Sequence, residues 1–295
     1  MTNESLDSVD GRQRLRIERR LAHPPEKVWP AVTEPEHLSR WFPAEVRLEP
    51  RPGGQITFSF GPDGAETTGS ISAYDPPRLF AFDWDGDLFR IELRADGPGC
   101  LLVFSHTFDD RPAAASYASG WRNCLDELDR LVDGRPAGVP ERPSGRLHES
   151  YVEAFGLADG VAEATPDGWQ VRFERQLTQP VEAVWAALTD AAHHPAATIG
   201  ATPPPGFTTA EFPAGVITEL DAPSLLEYAW QPSGQPAGRI RWELSAGTGH
   251  GARLRLVQTG PTGTAQAQAK ALTAWRDRIE PLARRLAEEA DRNAD

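Results

Sequence analysis

Residues 14–19 alternate between two faces of the chain, with Leu15 and Ile17 on the same face. This period of two predicts a β-strand. Pro24-Pro25-Glu26 then predicts the start of a short helix, because proline is tolerated in a first turn and an acidic side chain suits the positive helix end. A second short helix is predicted over residues 33–41.

The rest of this half of the chain is typical of a run of strands followed by one long helix. Turns rich in Asp, Pro and Gly separate the strands. The helix is predicted over residues 112–133, because apolar side chains recur at helical spacing up to Gly134, a residue type common at helix ends. An antiparallel sheet packed on one such helix is an α+β arrangement. The strands are predicted near residues 45–49, 55–60, 67–74, 79–84, 88–95 and 101–108.

The same pattern occurs twice in the chain. Residues 16–33 and 172–189 are identical at ten of eighteen aligned positions. A repeat this long indicates a duplicated domain, because solenoid units repeat every ~20–50 residues. We predict a first domain at 13–134, a linker with a short helix at 135–167 and a second domain at 168–290, with contact between the two domains.

The segments outside the repeats are polar. Residues 1–12 are predicted to be disordered. The short helix of the linker, within residues 146–157, is predicted to pack on the first domain, and residues 158–168 have the composition of a linker.

Composition excludes several classes of partner. Asp and Glu number 43 against 30 Lys and Arg, a formal net charge of −13, so nucleic acid and anionic membrane surfaces are unfavourable partners. No apolar run approaches the ~20 residues of a membrane span. The first residues lack the pattern of a signal peptide, and we expect a cytoplasmic protein. The 27 prolines and 26 glycines are typical of a high-GC bacterial source.

The reactive residue types form no recognisable centre. Cys100 and Cys124 have no counterparts in the second domain, which argues against a disulfide framework. Neither CxxC nor HExxH occurs, and His193-His194 has no third ligand nearby, so we expect no metal and no cofactor. Ser105 and Cys124 belong to no legible triad. The acids at chain reversals are interpreted as turn residues: Asp63, Asp85 and Asp87.

A family pattern, xPxExVWxAxT, is carried by RLAHPPEKVWPAVTEPEHLSRWF at residues 20–42. Gly120-Trp121 in the closing helix and ESYVEAFG at 149–156 continue it. The chain resembles the SRPBCC superfamily (START or Bet v1-like), in the branch named for the activator of Hsp90 ATPase homologue. The resemblance covers nearly all of 14–157 and, more weakly, 169–290. It implies two tandem helix-grip domains of a superfamily that binds or converts many apolar ligands, and it does not supply the chemistry.

The second copy departs from this pattern. Trp41-Phe42 correspond to Ala197-Thr198, and a proline-rich segment at 193–207 replaces the second helix. Trp242 stands where the first copy has Ile91, and the larger ring fills volume that a ligand would occupy. We therefore expect the larger cavity in the first domain and a structural or gating role for the second.

The alternation also assigns residues to the face that the long helix covers. On strand 101–108 this face carries Phe104 and His106, and the second copy places Gln258 at the position of His106. An apolar pocket with few polar groups is typical of a small-molecule site. We predict that a small hydrophobic ligand contacts Trp41, Phe42, Phe58, Phe82, Trp84, Ile91, Phe104, His106, Tyr117 and Trp121.

Two interpretations of His106 stay open. It is either a hydrogen-bonded core histidine, as Gln258 at the matching position indicates, or a polar group that anchors a ligand or transfers a proton. In the second case it is the candidate catalytic residue.

Three functions are compatible with the sequence. The first is binding of a small hydrophobic ligand, mainly by the first domain and without catalysis. The second is a polyketide-type cyclase or aromatase, because tandem helix-grip proteins of about this length occur among such enzymes and the architecture resembles theirs, although no complete acid–base set is legible. The third is a co-chaperone-like or stress-response interaction module. The ligand and the oligomeric state stay open.

Overall fold

The chain divides into two compact units, Met1–Pro143 and Ser144–Asp295. The computed structural model describes residues 3–61, 64–136, 138, 144–190, 196–231, 234, 237–249 and 251–292. Within these ranges, no helix combines the length and the apolar character that crossing a membrane requires.

The first unit is an antiparallel sheet packed on one long helix. Its strands are β1 (Asn3–Val9), β2 (Arg12–Leu21), β3 (Glu45–Leu48), β4 (Gln55–Ser59), β5 (Glu66–Asp75), β6 (Leu79–Trp84), β7 (Asp87–Asp96) and β8 (Gly99–Phe108). Its helices are α1 (Pro25–Thr33), α2 (Pro35–Leu38) and α3 (Ala114–Val132). The sheet order is β1-β2-β8-β7-β6-β5-β4-β3. The apolar face of α3 is buried, as the helical spacing predicted: Trp121, Leu125, Leu128 and Val132.

The second unit repeats this plan with fewer strands. Its strands are β9 (Val161–Thr165), β10 (Gly168–Gln176), β11 (Ala214–Asp221), β12 (Leu225–Trp230), β13 (Gly238–Ala246) and β14 (Ala252–Pro261). Its helices are α4 (Gly145–Ala154), α5 (Val181–Thr189) and α6 (Ala265–Arg292). The sheet order is β11-β12-β13-β14-β10-β9. Both units therefore have the predicted helix-grip arrangement.

The sheet of each unit contains a first hairpin that the sequence analysis missed. Residues 1–12 were expected to be disordered, yet β1 pairs with β2 from Asn3↔Glu18 to Val9↔Arg12. Asp10 and Gly11 form the turn with φ of 51° and 82°, and Asp-Gly is a strong signal for such a two-residue turn. In the same way, β9 lies in the segment expected to be linker and pairs with β10.

The short helix α4, which was expected to pack on the first domain, belongs to the second unit and contacts α6 there. Asp291 at the end of α6 accepts hydrogen bonds from the backbone N–H groups of Gly145 (2.5 Å) and Arg146 (3.3 Å) at the start of α4. The carboxylate satisfies N–H groups that a helix start leaves without partners.

The second predicted helix is shorter than the expected span of 33–41. Helix α2 ends at Leu38, and residues 39–44 form turns and bends. Pro43 disfavours a helical backbone at the preceding residue, Phe42. The hydroxyl of Ser39 accepts the backbone N–H of Val46 at 2.8 Å, which holds the turn. Trp41 and Phe42 consequently lie in the connection to β3.

The second unit has no described counterparts of β3 and β4. Gly53 and Gly200 occupy equivalent places, since each donates its N–H to an isoleucine carbonyl, Ile71 on β5 in the first unit and Ile217 on β11 in the second. Beyond this point the first unit continues into β4. The second continues into Pro203-Pro204-Pro205, and prolines cannot donate to a strand ladder.

We expect Trp121→Ala to destabilise the first unit by about 3–5 kcal/mol, the range for truncating a large buried aromatic side chain. The indole is 6% exposed and contacts the rings of Phe42 and Phe104. Chemical denaturation of the full chain measures the loss. Leu88→Ala, at a side chain that is 50% exposed, is the control and should cost less than ~0.5 kcal/mol. A loss below ~1 kcal/mol for Trp121→Ala would mean that these contacts are loose.

Candidate functional site

The ten residues predicted to contact a ligand lie together between the sheet and α3. They come from β4, β6, β7, β8, α3 and the turn after α2. Eight of the ten are buried, and Trp84 and Tyr117 are partly exposed. Ring contacts connect the aromatic members to one another: Trp41, Phe42, Phe58, Phe82, Trp84, Phe104, Tyr117 and Trp121, with His106 among them. We call this group the aromatic cluster.

Phe42 lies at the centre of the aromatic cluster. Its ring centroid is 5.3 Å from that of Trp121 and 5.6 Å from those of Phe58 and Trp84. Such distances are typical of favourable aromatic pairs. Phe42 and its neighbour Trp41 stand in the turn after α2, whereas the other rings of the cluster stand on strands or on α3. Its ring can therefore shift without breaking the sheet ladder.

Phe89 is a member of the cluster that the sequence analysis missed. On β7 it stacks on Phe82 at 5.2 Å and on the ring of His106 at 4.4 Å. The signal was present in the sequence, because Phe89 has the same alternation phase as Ile91.

His106 is the polar centre of the cluster. It is 1% exposed, and both of its ring nitrogens have partners. The indole Nε1–H of Trp121 donates to Nδ1 at 3.1 Å. Because Nδ1 accepts this bond, the imidazole proton is on Nε2, which donates to Oδ2 of Asp87 at 2.8 Å.

Asp87 was interpreted as a turn acid, and the structure corrects this interpretation. It is the first residue of β7 and shares the inward phase of Phe89 and Ile91. Its carboxylate also contacts the guanidinium of Arg12 at 3.5 Å, and Arg12 donates to the carbonyl of Gly86 at 3.0 Å. With its side chain 26% exposed, Asp87 connects the buried histidine to the surface.

Burial lowers the pKa of His106, and this effect outweighs the hydrogen bond and charge of Asp87, which raise it. The charge of Arg12 lowers it further. His106 is therefore a neutral, oriented imidazole in an apolar environment.

The second unit keeps only part of this arrangement. Trp275 on α6 donates its indole N–H to Oε1 of Gln258 at 2.5 Å. The β-ladder register places Gly238 where the first unit has Asp87. Nε2 of the buried Gln258 has no hydrogen-bond partner in the described part of the chain. Gln258 therefore matches His106 in position and in its bond to a tryptophan, but a glycine replaces the carboxylate of Asp87.

One edge of the cluster reaches the surface. Phe60, which is 41% exposed, stacks on Trp84 at 5.6 Å, and Trp84 stacks on the buried Phe58 at 4.7 Å. The indole N–H of Trp84 donates to the hydroxyl of Thr67 at 2.9 Å. A series of rings therefore runs from solvent into the cluster.

In the second unit two buried rings, Phe207 and Phe212, lie in the interior. Phe212 contacts Trp230 and Trp275, the counterparts of Trp84 and Trp121 in the repeat. Phe207 is fully buried against Trp185 and Trp242. Its carbonyl accepts the hydroxyl of Tyr228 at 2.7 Å and the indole N–H of Trp242 at 3.2 Å. Two side-chain donors therefore fix its backbone, whereas no such pair of donors holds the carbonyl of Phe42 among the described contacts.

The remaining predictions about reactive residue types concern metals and turn acids. Within the described ranges, no three His, Cys, Asp or Glu side chains are placed to hold a metal ion. Asp63 and His193-His194 lie outside the described residues. Asp85 has φ 51° in the turn before β7, as a turn acid should.

Comparison with known proteins gives a family for both units. The model of the family described as "Activator of Hsp90 ATPase homolog 1-like protein" matches residues 22–133 and 178–287. No curated protein matches the chain.

Similar solved structures cover one unit or both. CalU16 from Micromonospora echinospora is 25% identical over 52% of this chain and 93% of its own, with a TM-score of 0.45. EF2215 from Enterococcus faecalis, a conserved protein of unknown function, is 22% identical over 52% and 90%, with a TM-score of 0.45. DynU16, a protein in the dynemicin biosynthetic locus, is 18% identical over 96% and 99%, with a TM-score of 0.41.

We expect His106 to titrate below 6.5, its ordinary pKa. As the pH falls through ~6.5, the unfolded chain binds this proton more readily than the folded chain, so stability falls. His106→Gln should remove this part of the pH dependence. Unfolding free energies of both proteins between about pH 7.5 and pH 5 measure the effect. Identical pH dependence in the two proteins would contradict the buried, neutral histidine.

Both cysteines should be unreactive in the folded protein. Burial raises the pKa of Cys100 to about 11 and that of Cys124 to about 12, and the thiolate is the reactive form. Ellman's reagent at about pH 8 should modify them only after denaturant is added. Modification of the native protein at the rate of free cysteine would show that a thiol is accessible and ionised.

Proposed function

The chain belongs to the family of activator of Hsp90 ATPase homolog 1-like proteins, and from the geometry of its site we propose that the first unit binds a small, apolar, aromatic molecule between its sheet and α3. The fold of the family does not specify the ligand. The proposal rests on the aromatic cluster and on His106, the buried histidine inside it.

The observation that carries the proposal is the environment of Phe42. A flat apolar ring is surrounded by the rings of Phe58, Phe82, Trp84, Phe89 and Trp121 at centroid distances of 5.3–6.5 Å. These contacts suit any planar aromatic group. Because Phe42 stands in a turn, a ligand ring can take its place when the turn moves outward.

Access is best at the exposed edge of the cluster. Phe60 and Trp84 offer stacking surfaces there, and Phe58 continues them inward. A ligand that stacks first on these rings can then move inward. Its apolar surface is removed from water in this step, which favours its entry into the cluster.

His106 gives such a site its selectivity. Its Nδ1 is a buried acceptor that now binds the N–H of Trp121. A ligand hydroxyl that inserts between the two groups donates to Nδ1 and accepts the indole N–H, so both stay satisfied. A ligand without a hydroxyl that pushes the indole aside leaves them unpaired, at a cost of about 1–3 kcal/mol. Ligands with a hydroxyl should therefore be preferred.

The experiment compares two neutral probes, 1-naphthol and 1-methylnaphthalene, by tryptophan-fluorescence titration of the full chain. Wild type should bind 1-naphthol at least about tenfold more tightly, the equivalent of ~1.4 kcal/mol. His106→Leu should remove the preference and leave the affinity for 1-methylnaphthalene within about threefold. Gln258→Leu is the matched control in the second unit and should change neither affinity.

Two outcomes would refute the proposal. One is the absence of saturable binding of either probe to wild type. The other is a loss of selectivity in Gln258→Leu that equals the loss in His106→Leu, which would move the site to the second unit.

A second candidate function, acid–base catalysis in a polyketide-type cyclase, is favoured by the hydrogen bond between Asp87 and His106. A carboxylate that accepts Nε2–H orients the imidazole and stabilises its protonated form, which leaves Nδ1 to act as a base. Asp87→Asn would then lower turnover of a polyketide-type substrate by at least about 100-fold with 1-methylnaphthalene binding unchanged. Unchanged turnover would exclude this role.

A further inference from the structure

A groove of about 660 Å³ separates α5 from α6 in the second unit. It lies on the outside of this unit, away from the interior that contains Phe207 and Phe212. The α5 wall consists mainly of alanines, and α6 supplies apolar and charged side chains. The lining residues used below are Ala186, Ala187, Arg278, Leu282 and Arg285.

The groove lies beside a helix carbonyl that has different partners in the two units. In the first unit, the indole of Trp41 lies beside α1 and donates to the carbonyl of Ala31 at 2.8 Å. Ala187 is the counterpart of Ala31 in the repeat, and Ala197 is the counterpart of Trp41. In the second unit, Nη2 of Arg285 donates to the carbonyl of Ala187 at 3.3 Å instead.

Two arginines face the groove without acidic partners. Arg278 donates from Nε to the carbonyl of Gly206 (2.9 Å) and from Nη2 to that of Pro205 (2.8 Å). Neither Arg278 nor Arg285 forms an ion pair with a carboxylate of the described residues. Burial and the charge of Arg285 lower the pKa of Arg278, so the two guanidiniums repel each other.

The neighbouring arginines of α6, in contrast, have acidic partners. Arg276 pairs with Asp159 at 3.5 Å, and Arg284 pairs with Glu280 at 3.5 Å. Because a guanidinium has five N–H donors, Arg278 and Arg285 each keep donors beyond the backbone carbonyls that they contact. Two cations two helical turns apart on α6, both with free donors at the wall of one groove, suit the oxygens of an oxyanion.

The groove also carries carboxylates, which restrict the charge of the ligand. Asp190, Asp277 and Glu289 line it together with the two arginines. The lining therefore has no net positive charge, and attraction depends on short hydrogen bonds to the guanidiniums. A polyanion would be repelled by the carboxylates, whereas one compact anionic group is accommodated.

We propose that this groove binds an amphipathic organic monoanion, a carboxylate or sulfonate whose oxygens contact Arg278 and Arg285 and whose apolar body lies on Ala186 and Leu282. A volume of about 660 Å³ suits a small-molecule ligand. The site is separate from the aromatic cluster of the first unit, and it does not depend on the function proposed for that cluster.

The test uses 8-anilinonaphthalene-1-sulfonate, an apolar monoanion, titrated into the full chain by calorimetry and fluorescence. Arg285→Gln should weaken the binding at this site at least about tenfold, because a charge-assisted hydrogen bond is lost. Ala186→Phe fills the groove from an exposed position and should abolish that binding. Arg284→Gln, next to Arg285 and exposed, is the matched control and should leave the affinity unchanged.

The uncharged dye N-phenyl-1-naphthylamine tests the role of the anion. Its affinity should not respond to Arg285→Gln. His106→Leu in the first unit should leave the sulfonate affinity unchanged, which distinguishes the two sites. The proposal is overturned if Arg285→Gln and Ala186→Phe bind the sulfonate as tightly as wild type. It is also overturned if Arg285→Gln weakens both dyes equally, because the guanidinium would then not recognise the charge.

Discussion

One hydrogen bond lies at the centre of both units, and each interior is arranged around it. The indole of the closing helix donates to a polar side chain on the last strand, from Trp121 to His106 in the first unit and from Trp275 to Gln258 in the second. A buried indole N–H without a partner is costly. The bond therefore fixes the position of the closing helix on the sheet, and the surrounding aromatic side chains pack to that position.

The two units differ in what completes this bond. In the first unit the acceptor is a histidine whose other nitrogen reaches a partly exposed carboxylate, so the polar group is fully satisfied and connected to the surface. In the second unit the acceptor is a glutamine whose amide nitrogen has no partner in the described part of the chain. Phe207 and Phe212 are buried in its interior, and two side chains hold the carbonyl of Phe207. The two copies thus differ in the polar group at the centre and in the rings around it, and the second has a charged groove beside α5.

Much of the fold followed from the sequence, because alternation and helical spacing are local properties. The predicted strands and closing helix of the first unit agree with the structure within two residues, and the SRPBCC resemblance is confirmed in both units. The initial hairpins were missed because polar residues on an edge strand resemble a disordered segment. The Asp10-Gly11 turn was the signal that could have identified the first of them.

The candidate site was less predictable than the fold. Alternation placed His106 and the aromatic residues on one face, and the structure brings them together. The alternation pattern could not show that Asp87 pairs with His106, because that contact depends on the register between β7 and β8. The groove between α5 and α6 was also not predictable, since its shape depends on how the two helices pack in three dimensions.

The claim that the first unit receives a planar apolar ligand in place of Phe42 is tested most directly by a crystal structure of the full chain with 1-naphthol. The ligand ring should lie between Phe58, Trp84 and Trp121, with its hydroxyl on Nδ1 of His106 and Phe42 moved outward with its turn. A saturated complex in which Phe42 keeps its place, and the ligand lies only in the second unit or on the surface, would contradict this claim.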